Sequence, residues 1–440
     1  MKNTAIVKLA ALLLVLSLVL GCGTRVVPID VSADGYGKTT LSNGITVLVN
    51  RDETTSLSAG RILIGGGLLT ENAKNSGISN LMINLLLKGN DAMTAAEITE
   101  QLDFLGASVS VDCFRDYSAV SFSSLTENFD QTMEIISRSL IAPTFPKEEL
   151  VKLKHEVEGS IKATDDNQSA ASSKLFWKTA YGDHGYGLPY TGTIETIAGI
   201  TVDDIREHYQ KYVGGKNIVA SVATDLPADR IAVLVQKYLG VVRPEAETAP
   251  APKMTLQKKK DGFISFDRNQ SFVFMGFVFD RLQPAEVANV VLLNEIMGNN
   301  VGSRLWDLRQ KEKLAYAVYT QYAANKYDAI FRAGIGTDTS KVQQALKSLN
   351  REWDKLIADG ITADELAAAK VNMKNNLIYR IDRKSGRANN MATDEYLGYG
   401  YRFVLDLIDM ADQVTIEQVN SFIKEQFSGD RKYLSIVGKK

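Results

Sequence analysis

The sequence contains little cysteine and little histidine. Its 440 residues include two cysteines and three histidines. If Cys22 is used for another purpose, Cys113 has no cysteine to pair with, so the chain must fold without an internal disulfide. The histidines are His155, His184 and His208, and no two of them are three or four residues apart. Because a helix presents two zinc ligands from one face at that spacing, a conventional histidine zinc site is not expected.

The sequence also has no surplus of positive charge. Its formal net charge is -2, its isoelectric point lies near 6.1, and its one dense basic run, Lys258–Lys260, stands beside a predicted linker. Binding to nucleic acid requires clustered positive charge, so this class of function is excluded. With 45% hydrophobic and 23% charged residues, the composition is that of a globular protein with more than one domain.

A long apolar run occurs only at the N-terminus. Residues 1–22 combine a lysine-containing start, the apolar stretch Leu9–Leu20 and a Gly-Cys ending at Cys22, which is the anatomy of an export signal. The ending resembles a bacterial lipobox, in which the cysteine is acylated and becomes the new N-terminus; a plain cleaved signal is the alternative. No later run approaches the length that spans a bilayer. We expect an exported chain, lipid-anchored through Cys22 at the periplasmic face of the outer membrane.

The remainder of the chain shows an internal duplication. Thr201–Ile205 aligns with Thr415–Val419, and Ile218–Ala223 aligns with Lys432–Val437 in the same register and without a gap. Each copy has a threonine suited to a helix N-cap, an amphipathic helix, a glycine stop and an apolar strand. A register shared over so long a stretch favours duplication over chance.

The two copies are joined by a segment with linker composition. Arg243–Pro252 is rich in proline and small residues, which predicts an extended, semi-rigid connection. The chain is therefore divided into the signal segment 1–22, a first half at 34–242, a linker at 243–262 and a second half at 263–440.

Within each half, strand patterns precede a helical pattern. Gly44–Asn50 and Ser58–Ile64 are predicted to pair as strands, and Ser76–Lys88 has helical spacing of its apolar residues. Phe272–Val278 and Val287–Met297 have the corresponding roles in the second half. This order predicts an α+β fold in which helices pack on one face of each sheet, and the two homologous halves form a clamshell.

Three stretches of the first half resemble a peptidase family. Ile64–Glu71 has a glycine-rich strand end followed by an acidic residue, and Ser76–Gly89 is a helix that closes with Lys-Gly. Together with Thr191–Ile197, they resemble the insulinase/pitrilysin-type metallopeptidases, or inverzincins, and the resemblance extends over the chain from residue 34 onward.

In that family the helix carries His-x-x-Glu-His, whose imidazoles bind Zn²⁺ while the glutamate activates a water molecule. Asn80, Ile83 and Asn84 stand at these positions. Carboxamides are poor zinc ligands, and isoleucine cannot act as a general base. Glu149 and Glu156 match the family's third ligand and its companion glutamate, which makes them vestigial; a solvated face of a charged helix is the plainer interpretation. We expect no metal or other cofactor in this chain.

The second half keeps a different family feature. Arg309 and Tyr316 stand seven residues apart. In two-chain bacterial relatives, an arginine and a tyrosine at this spacing come from one subunit while the other subunit supplies zinc. The resemblance thus implies that both side chains contact the substrate carbonyl, whose oxygen becomes negative during hydrolysis. An exposed arginine and a packed strand tyrosine without a catalytic role are the alternative.

These patterns favour the zinc-free subunit of a heteromeric peptidase, with peptide substrates and a zinc-bearing homologous chain as partners. A catalytically inactive scaffold or peptide-binding lipoprotein of the same fold is the alternative. A third interpretation, an autonomous metallopeptidase with an unusual ligand set, is disfavoured by its carboxamide-rich coordination.

Overall fold

The computed structural model describes residues 26–183, 185–251, 256–298, 300–427 and 429–439, so the signal segment, Cys22 and His184 lie outside the described residues. Two sheets form among them, one in each half of the chain. The first contains β1 (Tyr36–Thr40), β2 (Thr46–Arg51), β3 (Leu57–Gly65), β4 (Ser108–Cys113), β5 (Tyr117–Leu125) and β6 (Ile218–Thr224). The second contains β7 (Asp261–Ser265), β8 (Gln270–Asp280), β9 (Ala317–Ala324), β10 (Asp328–Asp338) and β11 (Lys432–Gly438).

Helices connect these strands. The first half has α1 (Ile78–Leu86), α2 (Ala95–Phe104), α3 (Phe129–Ile141), α4 (Lys147–Asp166), α5 (Gln168–Tyr181), α6 (Ile194–Gly199), α7 (Val202–Tyr212) and α8 (Ala228–Leu239). The second half has α9 (Pro284–Met297), α10 (Trp306–Gln310), α11 (Val342–Asp359), α12 (Ala363–Ile381), α13 (Lys384–Leu397), α14 (Phe403–Gln413) and α15 (Ile416–Gln426). Within the described ranges, none of these helices has the length and apolarity needed to cross a membrane.

The two sheets share one strand order. The order β2-β6-β3-β5-β4 in the first sheet is repeated as β7-β11-β8-β10-β9 in the second, and β1 adds to the outer side of β2. The last strand of each half inserts between two earlier strands, β6 between β2 and β3 and β11 between β7 and β8, parallel to the first of each pair and antiparallel to the second. The predicted direct pairing of Gly44–Asn50 with Ser58–Ile64 is therefore wrong, because β6 separates β2 from β3.

The duplication is visible in matching element bounds. Helices α7 and α15 and strands β6 and β11 begin and end at aligned residues of the two copies. Thr201 and Thr415 cap their helices in the same way: the side chain of each accepts a hydrogen bond from the backbone N–H of the third helix residue, and its own N–H donates to the side chain of that residue. The expected α+β fold with two homologous halves is confirmed.

The halves exchange a helix. Helix α5 of the first half packs on the second sheet, where Trp177 lies in one cluster with Phe274, and α13 of the second half packs on the first sheet, where Met391 lies in one cluster with Leu63. The expectation of helices on a single face is thus wrong. Strands β3 and β10 are buried along nearly their whole length, so each sheet needs a cover on both faces.

Polar contacts also tie α13 to the first half. Arg387 Nη1 lies 2.5 Å from Asp52 Oδ2, and Lys384 Nζ donates to the carbonyl oxygens of Thr55 at 2.6 Å and Leu57 at 2.9 Å. Burial alone would raise the pKa of Asp52, but hydrogen bonds from Thr54 and Arg387 outweigh it and lower that pKa to about 2. The charged carboxylate is therefore part of the contact between the halves.

The predicted linker runs along the first half. Arg243 donates through Nε to the carbonyl oxygen of Val213 at 2.8 Å, and the backbone N–H of Glu247 donates to Lys211 O at 2.8 Å. Strand β7 begins at Asp261, inside the segment assigned to the linker. The connection is thus fixed to the end of α7 where it leaves the first half.

Candidate functional site

Helix α1 carries the positions at which the zinc motif was expected. Asn84 Nδ2 donates to Asn80 Oδ1 at 2.8 Å and to Asn80 O at 2.9 Å, so the two carboxamides bond to each other. Ile83 is fully buried in the core of the first half. The donor set is thus two amide groups and a buried alkyl group, which does not fit a zinc ion with an activated water.

The N-terminus of α1 is held by a buried carboxylate. Glu71 Oε2 accepts from Gly77 N at 2.8 Å and Oε1 accepts from Ser79 N at 2.9 Å, which satisfies two N–H groups at the start of the helix. Burial raises the pKa of Glu71 to about 7 even though these two backbone hydrogen bonds favour its charged form. Glu71 is therefore a structural anchor of the helix that carries Asn80 and Asn84.

His208 lies against the same helix. Its Nε2 is 3.2 Å from Ser79 Oγ and 3.4 Å from Thr70 Oγ1, and its ring packs on Tyr212. Burial lowers the pKa of His208 to about 4, so the ring is neutral at neutral pH. Sequence reasoning did not place His208 beside the motif helix, because the two are brought together only by the packing of α7 on α1.

Helix α4 carries the two glutamates that match the family's third ligand. Glu149 is partly exposed and pairs with Lys152 at 2.6 Å, whereas Glu156 and the adjacent His155 are exposed. Over the described ranges, no group of three or more histidine, cysteine, aspartate or glutamate side chains is placed to hold a metal ion. The geometry of α4 is that of a solvated, charged helix face.

Arg309 and Tyr316 lie where α10 leads into β9. Arg309 is exposed, and its guanidinium lies 5.0 Å from the ring centre of Trp306; among the described residues it has no ion-pair partner. Tyr316 is 47% exposed, and the hydroxyl end of its ring lies over Gly336 of β10, where any side chain would collide with it. Partial burial raises the pKa of Tyr316, so its phenol stays protonated at neutral pH. The contact of Arg309 and Tyr316 with a substrate stays a prediction.

Two family models match this chain, and both describe the same family. The model "Insulinase (Peptidase family M16)" matches residues 46–194, and "Peptidase M16 inactive domain" matches residues 199–373. The chain belongs to the insulinase family.

Relatives of this insulinase-family chain carry both active and inactive descriptions. It is 26% identical over 89% of its length to the uncharacterized zinc protease YmxG of Bacillus subtilis, of which it covers 95%. It is 23% identical over 86% of its length to a non-peptidase homolog YmxG of Helicobacter pylori, of which it covers 87%.

Solved structures agree on the fold. A peptidase M16 inactive domain from Pseudomonas fluorescens superposes with a TM-score of 0.86 at 20% identity, covering 92% of this chain and 98% of that one. A protease from Helicobacter pylori gives 0.85 at 19% identity, with 92% and 99% covered. With the insulinase fold and without residues that fit zinc at Asn80, Ile83 and Asn84, the chain is an M16 homologue of the inactive type.

Proposed function

We propose that this chain is the zinc-free subunit of a two-chain insulinase-like peptidase. A zinc-bearing homologous chain supplies the metal and the base, and Arg309 and Tyr316 of this chain contact the scissile carbonyl of a peptide. The proposal rests on a contrast within the chain. Asn80 and Asn84 satisfy each other, whereas among the described residues the Arg309 guanidinium has no ion pair and the Tyr316 hydroxyl has no hydrogen bond.

The chemistry suits these two side chains. Water attack on a peptide bond places negative charge on the carbonyl oxygen, and fixed donors at that position lower the barrier. The guanidinium of Arg309 is always charged, and the raised pKa of Tyr316 keeps its hydroxyl a donor at neutral pH. Neither group needs a metal in its own chain, so the role is compatible with a helix α1 that does not fit zinc.

A peptide also finds a free sheet edge next to α1. Strand β4 is the outermost strand of the first sheet, and Val109 and Val111 pack inward while Ser108 and Ser110 are exposed. An extended peptide that adds to this edge pairs with the backbone of β4 and is recognised independently of most of its sequence. This placement supports peptides as the substrate class.

The proposed site of action is the bacterial cell envelope. Cys22, acylated and left as the new N-terminus when residues 1–21 are removed, anchors the chain to the periplasmic face of the outer membrane. Palmitate labelling of the full chain tests this step, since Cys22→Ser is expected to abolish incorporation of label.

The decisive experiment combines the mature chain with a zinc-bearing homologous chain and follows cleavage of a quenched fluorescent peptide. Activity is expected only in the mixture, and Arg309→Ala and Tyr316→Phe should each lower kcat by about 10²-fold or more, the effect of removing one oxyanion donor. Matched controls are Arg230→Ala and Tyr379→Phe, which change exposed residues of α8 and α12. If kcat falls equally in the control variants, or if Arg309→Ala keeps full activity, the role assigned to Arg309 and Tyr316 is wrong.

A second candidate is an inactive scaffold or peptide-binding lipoprotein of the same fold. The mutual hydrogen bonding of Asn80 and Asn84 favours it, as does the likeness to a relative described as a non-peptidase homolog. Under this function the mixture gains no activity, yet fluorescence anisotropy shows a labelled peptide binding to the chain alone, and substitutions along the β4 edge weaken that binding.

A further inference from the structure

A cavity of about 580 Å³ lies between the two halves of the chain. The first half contributes Arg115 from the turn between β4 and β5, residues of α5, and Leu188–Thr191, while the second half contributes residues of α9, β9 and β10. Its mouth is marked by two accessible side chains, Tyr190 at 39% and Lys174 at 36% exposure. The volume falls in the range of sites that enclose small organic ligands.

Two buried arginines line this cavity. Arg115 is 5% exposed, and its Nη1 is enclosed by protein atoms without a hydrogen-bond partner among the described residues. Its guanidinium is stacked on the rings of Trp177 at 3.4 Å and Tyr190 at 4.3 Å and donates through Nε to Tyr186 O at 3.2 Å. Nη2 also has no partner among the described residues, but unlike Nη1 it is not enclosed, so it is the donor that an acceptor in the cavity can reach.

Arg332 lines the cavity from the second sheet. It is 7% exposed, donates through Nη2 to Ser173 Oγ at 2.7 Å and to Gln321 Oε1 at 2.9 Å, and has an enclosed Nη1 without a partner in the described part of the chain. Burial, and to a lesser extent the charge of Arg332, lower the pKa of Arg115 to about 9. An anion in the cavity beside the two guanidinium groups would offset this burial of positive charge.

The lining offers no anion of its own. Among the described residues that line the cavity there is no aspartate or glutamate. Lys174 adds a third cation to the lining, and it pairs at 2.8 Å with Asp165, which lies outside the lining. Asp116 and Asp328 lie close enough to act on Arg115 electrostatically, but neither lines the cavity. Their oxygens are taken up by other donors: Asp116 accepts from Tyr186 and from Lys326 N, and Asp328 accepts from Tyr181 and Asn325. These carboxylates temper the positive charge without accepting from Arg115 Nη2.

Much of the remaining wall is apolar. Ile161, Trp177, Leu188, Ala323 and Ile330 contribute to it, beside polar residues such as Thr164, Thr191 and Asn294. An inorganic anion would leave the apolar part of the lining uncovered. An organic acid covers it with its apolar body and places its carboxylate at the arginines. Arginine matches a planar carboxylate with two parallel hydrogen bonds.

We propose that this cavity is a binding site for a small organic carboxylate with an apolar body, of the size of an acylated amino acid or a dipeptide with a free C-terminus. Arg115 and Arg332 bind the carboxylate, and Lys174 attracts it at the mouth. The cavity includes none of Asn80, Asn84, Arg309 and Tyr316 in its lining, so the site is independent of the proposed peptidase role.

The test uses the full mature chain with N-acetylphenylalanine as the probe and N-acetylphenylalaninamide as its uncharged counterpart. The acid is expected to raise the midpoint of thermal unfolding in a saturable manner at millimolar concentration, and the amide is not, because a ligand that binds only the folded state stabilises it by mass action. Inorganic phosphate is the third arm. A shift as large with the amide or with phosphate as with the acid overturns the assignment, and so does the absence of a shift with any of the three, which would mean that only water occupies the cavity.

Variants locate the binding. Arg332→Gln is expected to weaken binding of the acid at least about tenfold, the order of one charge-assisted hydrogen bond. If that variant does not fold, Lys174→Met remains informative, because Lys174 is at the surface; it should weaken binding severalfold. Lys178→Met is the matched control one turn along α5, since Lys178 is also exposed and ion-paired but does not line the cavity. Equal affinity in Lys174→Met and Lys178→Met, together with unchanged affinity in Arg332→Gln, would refute the site.

Discussion

The substitution Met391→Ala tests whether the exchanged helices α5 and α13 make the two halves unfold together. Met391 belongs to α13 of the second half, yet it is 1% exposed in a cluster with Leu48, Leu63 and Val219 of the first sheet. Truncating a fully buried methionine removes apolar contact and leaves a cavity, which costs about 2–5 kcal/mol. The space left by the truncated side chain adjoins the first sheet. The free energy of unfolding of that sheet should therefore fall, although the substituted residue belongs to the second half.

Hydrogen exchange followed by mass spectrometry measures this effect strand by strand. The slowest amides of β6 and of β8 report on the first and second sheets respectively. If the halves open together, a loss of about 3 kcal/mol raises exchange in both strands by roughly 10²-fold. The control is Met373→Ala, which removes a methionine with no exposure from the core of the second half alone.

The two variants give different results if the reasoning fails. With coupled halves, Met391→Ala and Met373→Ala each accelerate exchange in β6 and in β8. Should Met373→Ala accelerate only β8 while Met391→Ala accelerates only β6, the halves open separately, and the exchanged helices pack without coupling them.

Substitutions at three further positions test local features. The pKa of His208 is about 4 in the folded chain and 6.5 in a free side chain. Keeping the buried ring neutral therefore contributes about 3 kcal/mol to the free energy of unfolding above pH 6.5, and this contribution is lost as the pH falls towards 4. His208→Gln should flatten the pH dependence of the free energy of unfolding over that window, as measured by urea titrations. Arg387→Gln should lower the free energy of unfolding at pH 7 by about 2 kcal/mol through loss of the Asp52 contact, and urea unfolding at pH 7 measures it. Ile83→Glu should lower the free energy of unfolding by at least about 3 kcal/mol because it buries a charge, whereas Ile83→Val should lower it by only about 1 kcal/mol, both measured by urea unfolding.

Features encoded in short stretches could be predicted from the sequence. The duplication was found because Thr201 and Thr415 begin copies of the same helix and strand, and capping is decided by a few adjacent residues. The unsuitability of α1 for zinc was equally accessible, because ligation at three- and four-residue spacing depends only on which side chains share a helix face. Asn80 and Asn84 do share that face, since their carboxamides bond to each other.

The strand order and the helix exchange were not accessible in this way. Strand β6 pairs with β2 and β3 although some 150 residues separate it from them. The apolar patterns of β3 and β10 indicated buried strands, but burial on two faces can be supplied by a helix from anywhere in the chain. Only the folded structure shows that α5 and α13 each serve the opposite half.

The cavity illustrates a further step that sequence patterns do not reach. Arg115 and Arg332 are far apart in the chain, and neither stands in a motif. Their role depends on the packing around them: neighbours fix each guanidinium and satisfy some of its donors, while Arg115 Nη2 is left without a partner among the described residues and is not enclosed. Donors of buried side chains are almost always satisfied in folded proteins, so this donor beside a cavity indicates an acceptor from outside the chain. The cavity lies where the halves meet, and the same contacts would be present in an active peptidase subunit and in an inactive scaffold.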